Sequence, residues 1–227
     1  MTDLSPTART RITRLRERGR SDREELLAFL REAMIAHLAV DAGDHPVALP
    51  VAFGVDPEGP DEGGTLYVHG SVGAGWMRHA PGSTVCVTVT SLDGLVLARS
   101  GFHHSMNYRC AVVIGVARLV EAEEERARAL DLVVDQVVPG RSATLRPATR
   151  KELVATAVLA VPLHEASLKL RAEGVGDEPE DVEAGIWAGV LPLRTVAGEL
   201  VPDPLTSAPV PDDVARRAEE LRSNSDQ

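Results

Sequence analysis

The sequence predicts a mainly β chain with peripheral helices, an α+β protein whose strands close into an antiparallel barrel. Three observations carry this. About six or seven short runs rich in Val, Leu and Ala are separated by Gly, Pro and Asp turn signals. A few helices with capping signals fall between them. No regular strand–helix–strand alternation of the kind that builds a parallel sheet is present. The 227 residues suit one domain with arms, and 44% hydrophobic content supplies a normal core. With aromatics at 3%, that core must be aliphatic.

Composition also excludes partners. A formal net charge of −10 argues against nucleic acid or an anionic membrane. No run approaches the ~20 apolar residues of a membrane span, and the start, MTDLSPTARTR, lacks a signal peptide's apolar segment, so the expected location is cytoplasmic. Cys86 and Cys110 are too few for a disulfide framework and lack metal-ligand spacing, so no metal site is expected. Against the acidic trend, Arg9, Arg11, Arg14, Arg16, Arg18, Arg20 and Arg23 crowd one stretch. Such an arm either binds a polyanion or pairs with acidic surface on its own or a partner subunit. With no interleaved aromatics, pairing is the favoured reading.

In chain order, Ser21-Asp22-Arg23-Glu24 reads as a capping box with Ser21 as cap, followed by a helix whose apolar face is Leu26, Leu27, Leu30, Met34 and Ile35. Strands are predicted at 35–40 and 47–55, the second with an edge or bulge at Pro50, and a loop over 56–64. Thr65–His69 is a strand running through the glycine-rich turn 70–75 into a short helix at Trp76–His79. Val85–Thr90 reaches a hairpin signal at Asp93-Gly94, leading into Leu95–Arg99, and Ala111–Val120 is the next strand. A helix over 122–138 presents Ala127, Leu130, Val133, Val134 and Val137 and stops at Pro139-Gly140. Thr149 to Glu152 is a second capping box. Strands at 158–161 and 166–171 follow, the latter with Ser167, Lys169 and Arg171 on a polar face. After an acidic loop over 173–185 come a strand over 186–193, a Pro-rich linker over 201–211 and a helix over 212–222.

The stretch Leu95–Gly115 organises the rest. Two apolar runs flank a polar centre of His103, His104, Ser105, Asn107, Tyr108 and Arg109, which could offer several donors to one ligand. On a strand, His103 and His104 point to opposite faces, so they cannot share a metal; His104 is assigned to the pocket. Tyr108 and Arg109 read equally as a core tyrosine and a surface arginine, Trp187 as a core tryptophan, and His69 as a structural or a site histidine.

The ordered pieces LSPTARTRITRLRERGR, LYVHGS, DGLVLAR, FHHSMNYR, VVPGR, SLKLR and IWAGVLPL resemble the pyridoxamine 5'-phosphate oxidase-like flavoproteins, within the branch that includes nitroimidazole-resistance proteins. The resemblance runs from about Leu4 to Leu193. It implies a split β-barrel binding FMN at a homodimer interface, and three regions: an Arg-rich arm over 1–20, an FMN-binding split-barrel domain over 21–193, and a linker with a C-terminal helix over 194–227. It lays Leu49, Pro50 and Val51 along the isoalloxazine and Val68, His69, Gly70 and Ser71 beside the ring and ribityl chain. It tips Tyr108 and Arg109 toward the site, matches Arg109 and Cys110 to the strand that reaches the flavin from the second subunit, and matches Trp187 to a tryptophan near the dimethylbenzene edge; His104 and Ser105 complete the expected cofactor-binding set. Lys169 and Arg171 match a basic pair with no assigned role.

One departure stands out. Where relatives carry Ser-Arg or Arg-Lys for the FMN phosphate, this chain has Ala74-Gly75, leaving the Gly75 amide and the Trp76 indole; Cys110 also replaces a frequent Ser. Because isoalloxazine itself carries the hydride, no catalytic dyad is expected and the catalytic residues are unknown. The expected function is an FMN-dependent oxidoreductase acting on a small molecule other than pyridoxamine phosphate. The alternative is a non-catalytic protein that binds or carries flavin, deazaflavin or haem; a third is a barrel that has lost its cofactor and serves as a dimeric scaffold.

Overall fold

The computed structural model of the chain describes residues 3–4 and 7–223. Its elements in order are β1 (Gly19–Arg20), α1 (Arg23–Glu32), β2 (Ala36–Asp41), β3 (Pro46–Val51), β4 (Phe53–Asp56), β5 (Thr65–Ser71), β6 (Thr84–Leu97), β7 (Ser105–Val116), β8 (Arg118–Leu119), α2 (Glu123–Val137), α3 (Arg150–Ala155), β9 (Thr156–Pro162), β10 (Ala166–Arg171), α4 (Pro179–Glu183), β11 (Gly189–Pro192) and α5 (Asp212–Ser223). Short 3-10 turns lie at Arg16–Arg18, before β1, and at Gly75–Arg78, between β5 and β6. The strands form a seven-stranded sheet in the order β1-β10-β7-β6-β2-β3, with β11 on β6, and a four-stranded sheet β4-β5-β9-β8. This mixed architecture with two antiparallel sheets is the predicted split barrel. The chain divides into two compact units, Met1–Thr90 with Cys110–Lys169, and Ser91–Arg109 with Leu170–Gln227.

The first unit owns the core. Leu26 and Leu30 of α1 pack with Leu38 and Val40 of β2, Phe53 and Val55 of β4, Leu66 and Val68 of β5, Val85 and Val87 of β6, and Leu159 and Val161 of β9. Gly54 lets α2 lie close on β4: a Cβ there would stand 2.8 Å from the Leu132 and Val133 backbone. The buried face of α2 is Ala129 and Val133, with Leu130 and Leu132 partly buried; Ala127 and Val137, assigned to that face from spacing, are exposed. Helix α1 is capped by Asp22, whose Oδ1 accepts from the Glu24 amide at 2.8 Å, and not by Ser21. Ser21 instead gives its carbonyl to the Leu4 amide at 2.6 Å, holding it in the extended chain before the helix. The helix ends at Glu32, leaving Ile35 47% exposed. Pro50 sits where a proline is tolerated, in β3 at the end of its sheet. The Thr149 capping box of α3 forms as predicted.

An ion network joins the start of β5, β8 and the start of α2. The Arg118 guanidinium donates to both Asp61 oxygens at 2.8 Å and to both oxygens of Glu125, while the Tyr67 hydroxyl donates to Glu125 at 2.9 Å. Burial, then Glu125, pushes the Tyr67 phenol up to about 12. Hydrogen bonds from Arg118 hold Glu125 below its ordinary range. For Asp61, burial works upward, but donation from Arg118 and Thr65 together leaves it lowered. In the arm, Arg9 pairs with Glu165 and Arg20 with Glu25, and the Lys169 amine donates to the Arg14 carbonyl at 3.4 Å.

The second unit is built differently. Its buried apolar side chains are Val96, Ala98 and Ala218 among the described residues. The predicted Asp93-Gly94 hairpin does not form. Both residues lie within the continuous 14-residue β6, Gly94 opposite Pro192 of β11, and Gly94 lacks the positive φ that such a turn requires. The predicted strand over 186–193 contracts to β11. Polar forks tie the unit together. Arg99 donates from its side chain to Asp177 at 2.8 Å and from its amide to both carboxylate oxygens at 3.2 Å. Arg171, placed on a polar strand face by alternation, is 6% exposed and donates to Asn107 and to the Glu173 and Gly174 carbonyls. Alternation fails because Leu170, not Arg171, takes the half-exposed position.

Candidate functional site

In the first unit, the predicted site residues gather around the ends of β3 and β5. Leu49, Pro50 and Val51 lie on β3 opposite Leu38, His37 and Ala36. After Ala52 the chain enters β4, whose Phe53 pairs with Val68 of β5, so the two predicted segments approach each other in register. Val68 is buried, His69 and Gly70 half-buried, and Ser71 exposed. Gly70 is required by a close approach: a Cβ would come within 2.7 Å of the Trp76 ring, which folds back over it. Val68 through Trp76 therefore form one cluster.

His69 is the electrostatically distinct member. Its Nδ1 is buried with no hydrogen-bond partner, and burial lowers the imidazole pKa, favouring the neutral form. A ring nitrogen without a partner can donate or accept one further hydrogen bond, depending on the tautomer. In the turn after β5, the amides of Gly73, Ala74 and Met77 are taken up by Ser71 Oγ, the Ser71 carbonyl and the Ala74 carbonyl. Gly75 is open on its side-chain side, with nothing within 4 Å of a Cβ and no positive φ. The turn still carries a cation that the sequence reading passed over. Arg78 is exposed and has no partner among the described residues, and its place one helical turn after Gly75 is the signal that could have found it.

Cys110 is half-buried, with Thr90 Oγ1 at 3.7 Å, and both cysteines are free.

In the second unit, His104 and Ser105 are exposed and Tyr108 and Arg109 half-buried. His103 and His104 sit in the turn before β7 rather than on a strand, so the opposite-face rule does not apply to them; His104 Nδ1 lies 2.8 Å from the Ser100 carbonyl. Arg109 forks onto Asp93, with Nε and Nη2 each at 3.1 Å from an oxygen, and reaches Ser91 at 3.4 Å. Asn107, grouped with the ligand donors from sequence, is spent on Arg171 and on the Glu173 backbone. Trp187 is no core tryptophan: it is 70% exposed, its ring edge against Gly189. Residue pairs such as Arg99–Asp177 had no sequence signal, because their members lie 78 positions apart.

Two antiparallel sheets, with a half-buried histidine and a glycine-packed tryptophan at one strand end, make this a split-barrel protein. The chain belongs to the pyridoxamine 5'-phosphate oxidase family, whose model matches residues 22–170. Among solved structures, it is similar to the flavocytochrome Anf3 from Azotobacter vinelandii, at 33% identity over 93% of this chain and 97% of that one, with a TM-score of 0.84. It is likewise similar to the FAD- and haem-binding protein from Mycobacterium smegmatis, at 38% identity over 88% of this chain and 97% of that one, TM-score 0.79. A 5-nitroimidazole antibiotic resistance protein from Bacteroides thetaiotaomicron shares the fold at 20% identity, covering 66% of this chain and 85% of that one, TM-score 0.55. No curated protein matches the chain significantly. Among the described residues, no helix is long and apolar enough to cross a membrane.

Proposed function

We propose that the chain is a flavin-binding protein that also binds haem, closer to the binding-and-carriage alternative than to a dedicated small-molecule oxidoreductase. The observation that carries this is the pair of near-full-length similarities, at 33% and 38% identity, to a flavocytochrome and to an FAD- and haem-binding protein. Flavin supplies hydride or single-electron chemistry and haem iron supplies one-electron chemistry, with the protein providing orientation and electrostatics. The β3 edge and the Val68–Ser71 segment would lie against the flavin. His69, neutral and with an unsatisfied ring nitrogen, is the residue best suited to hold the haem iron. Arg78 would face a flavin phosphate in place of the missing Ser-Arg, whether the flavin is FMN or FAD. His104, Ser105, Tyr108, Arg109 and Trp187 are retained as proposed flavin contacts, Arg109 with Cys110 reaching the flavin from a second subunit.

The protein is proposed to act as a cytoplasmic homodimer. Exposed Phe102, Trp187, Leu191, Val201 and Leu205 give the second unit apolar surface that a second copy would cover. Sedimentation as a monomer at micromolar concentration would remove the dimer.

The test is the absorption spectrum of the purified protein, before and after addition of hemin and flavin. Flavin bands together with a Soret band are expected. His69→Ala should lose the Soret band and keep the flavin. A Soret band unchanged in that variant removes His69 as ligand, and absence of haem absorbance in the parent removes haem. The second reading, an FMN-dependent oxidoreductase acting on a small molecule, is favoured by the family match; sustained turnover of NAD(P)H by the flavin-loaded protein would select it.

A further inference from the structure

The arginine-rich arm is not wholly consumed by pairing. It shapes a groove of about 450 Å³ in the first unit, lined by Thr10, Arg11, Ile12, Arg16, Arg20 and Ser167 among others. None of the predicted flavin-site residues lines it. That volume lies within the range of small-molecule sites.

The groove is fixed at several points. Arg9 anchors one end of the arm on Glu165, β1 anchors the other by pairing with β10, and Thr10 is 6% exposed with its hydroxyl bonded to Thr7. Between them Leu15 adopts φ 54° and ψ 57°, the one non-glycine residue with positive φ among those described. A branched side chain there is strained, and the reversal it makes brings Arg11 and Arg16 to the same groove. The guanidinium groups of Arg11 and Arg16 have no partner among the described residues, in a chain whose net charge is −10. Arg20 is held toward the same space by the Glu17 and Gly19 carbonyls, with Glu25 at 3.3 Å. Ser167 and Thr10 add hydroxyls, and Ile12, Leu4 and Ala166 add an apolar wall.

We propose that this groove binds a small phosphate monoester with an apolar body. Two unpaired guanidinium groups lining one groove supply the charge and the N–H donors that a phosphate dianion takes, and the apolar wall accepts the ester group. The site is independent of the flavin and haem reading.

Phenyl phosphate is the probe, titrated calorimetrically into the full-length protein alongside inorganic phosphate and phenol. Expected are one-to-one binding of phenyl phosphate and at least tenfold weaker binding of the other two. Arg11→Gln/Arg16→Gln should weaken phenyl phosphate at least tenfold and leave phenol unchanged, in line with the loss of charge-assisted hydrogen bonds. Arg14→Gln, a neighbouring arm arginine outside the groove, should bind like the parent. No binding of phenyl phosphate overturns the proposal. So does inorganic phosphate binding equally well, or an equal loss in Arg14→Gln.

Discussion

The two units are held together by different means. The first buries aliphatic side chains from both sheets and two helices, and its Arg118 network sits on top of a core that already exists. The second buries Val96, Ala98 and Ala218 and relies on the Arg99–Asp177, Arg109–Asp93 and Arg171–Asn107 interactions, while Phe102 stands 91% exposed. A region with so little apolar burial must draw its order from satisfied polar groups or from surface covered on assembly. The His69–Trp76 cluster of the candidate site lies in the first unit.

The largest effect that would sharpen this contrast is Phe53→Ala. Phe53 is fully buried, and its truncation should cost about 3–5 kcal/mol in chemical denaturation. A loss below about 1 kcal/mol would mean that the first unit is not organised around this core.

Next is Gly75→Arg. With open space at the Cβ and no positive φ, the new side chain meets no backbone obstacle. If a flavin phosphate lies at this turn, FMN should bind about ten- to a hundredfold more tightly and riboflavin unchanged. Equal shifts for both flavins in paired titrations would move the phosphate elsewhere.

Arg118→Met should cost about 1–2 kcal/mol at neutral pH, after discounting for a guanidinium that is a third exposed. Glu125 and Asp61 have depressed folded-state pKa values, so their contribution is present above the unfolded values and fades as pH falls below about 4. The parent–variant gap in melting temperature should therefore close on acidification. A gap that does not narrow as pH falls below about 4 would assign the loss to packing.

In the second unit, Arg109→Ala should lower flavin content while changing apoprotein stability by about 1 kcal/mol at most, because its pair with Asp93 is partly solvated. Unchanged flavin occupancy would leave Arg109 a purely structural fork. Smallest of all, Trp187→Ala should alter stability within about 0.5 kcal/mol at concentrations where the protein is monomeric. A larger loss there would show that the tryptophan is covered within one chain.

What was legible in the sequence was local. The Thr149 capping box, the Pro139-Gly140 stop and the edge position of Pro50 each depend on a few neighbouring residues. Ser21 and Asp22 are both good caps, and it is the Asp22 carboxylate that accepts from the Glu24 amide. Asp93-Gly94 carried a strong hairpin signal, which the partner strand β11, almost a hundred residues later, overrode. The candidate site divides the same way. The LYVHGS strand end with its glycine turn was readable, whereas the commitments of Arg109 to Asp93 and of Asn107 to Arg171 arise from tertiary contacts without a spacing rule.

The scarcity of lysine turns one contact into a reporter. Lys151 and Lys169 are the only lysines. Lys151 is exposed, whereas Lys169 is half-buried and its amine is spent on the Arg14 carbonyl. Amine-directed acylation followed by peptide mass mapping would therefore read arm release as modification at Lys169 measured against Lys151 as an internal clock, without any engineered label.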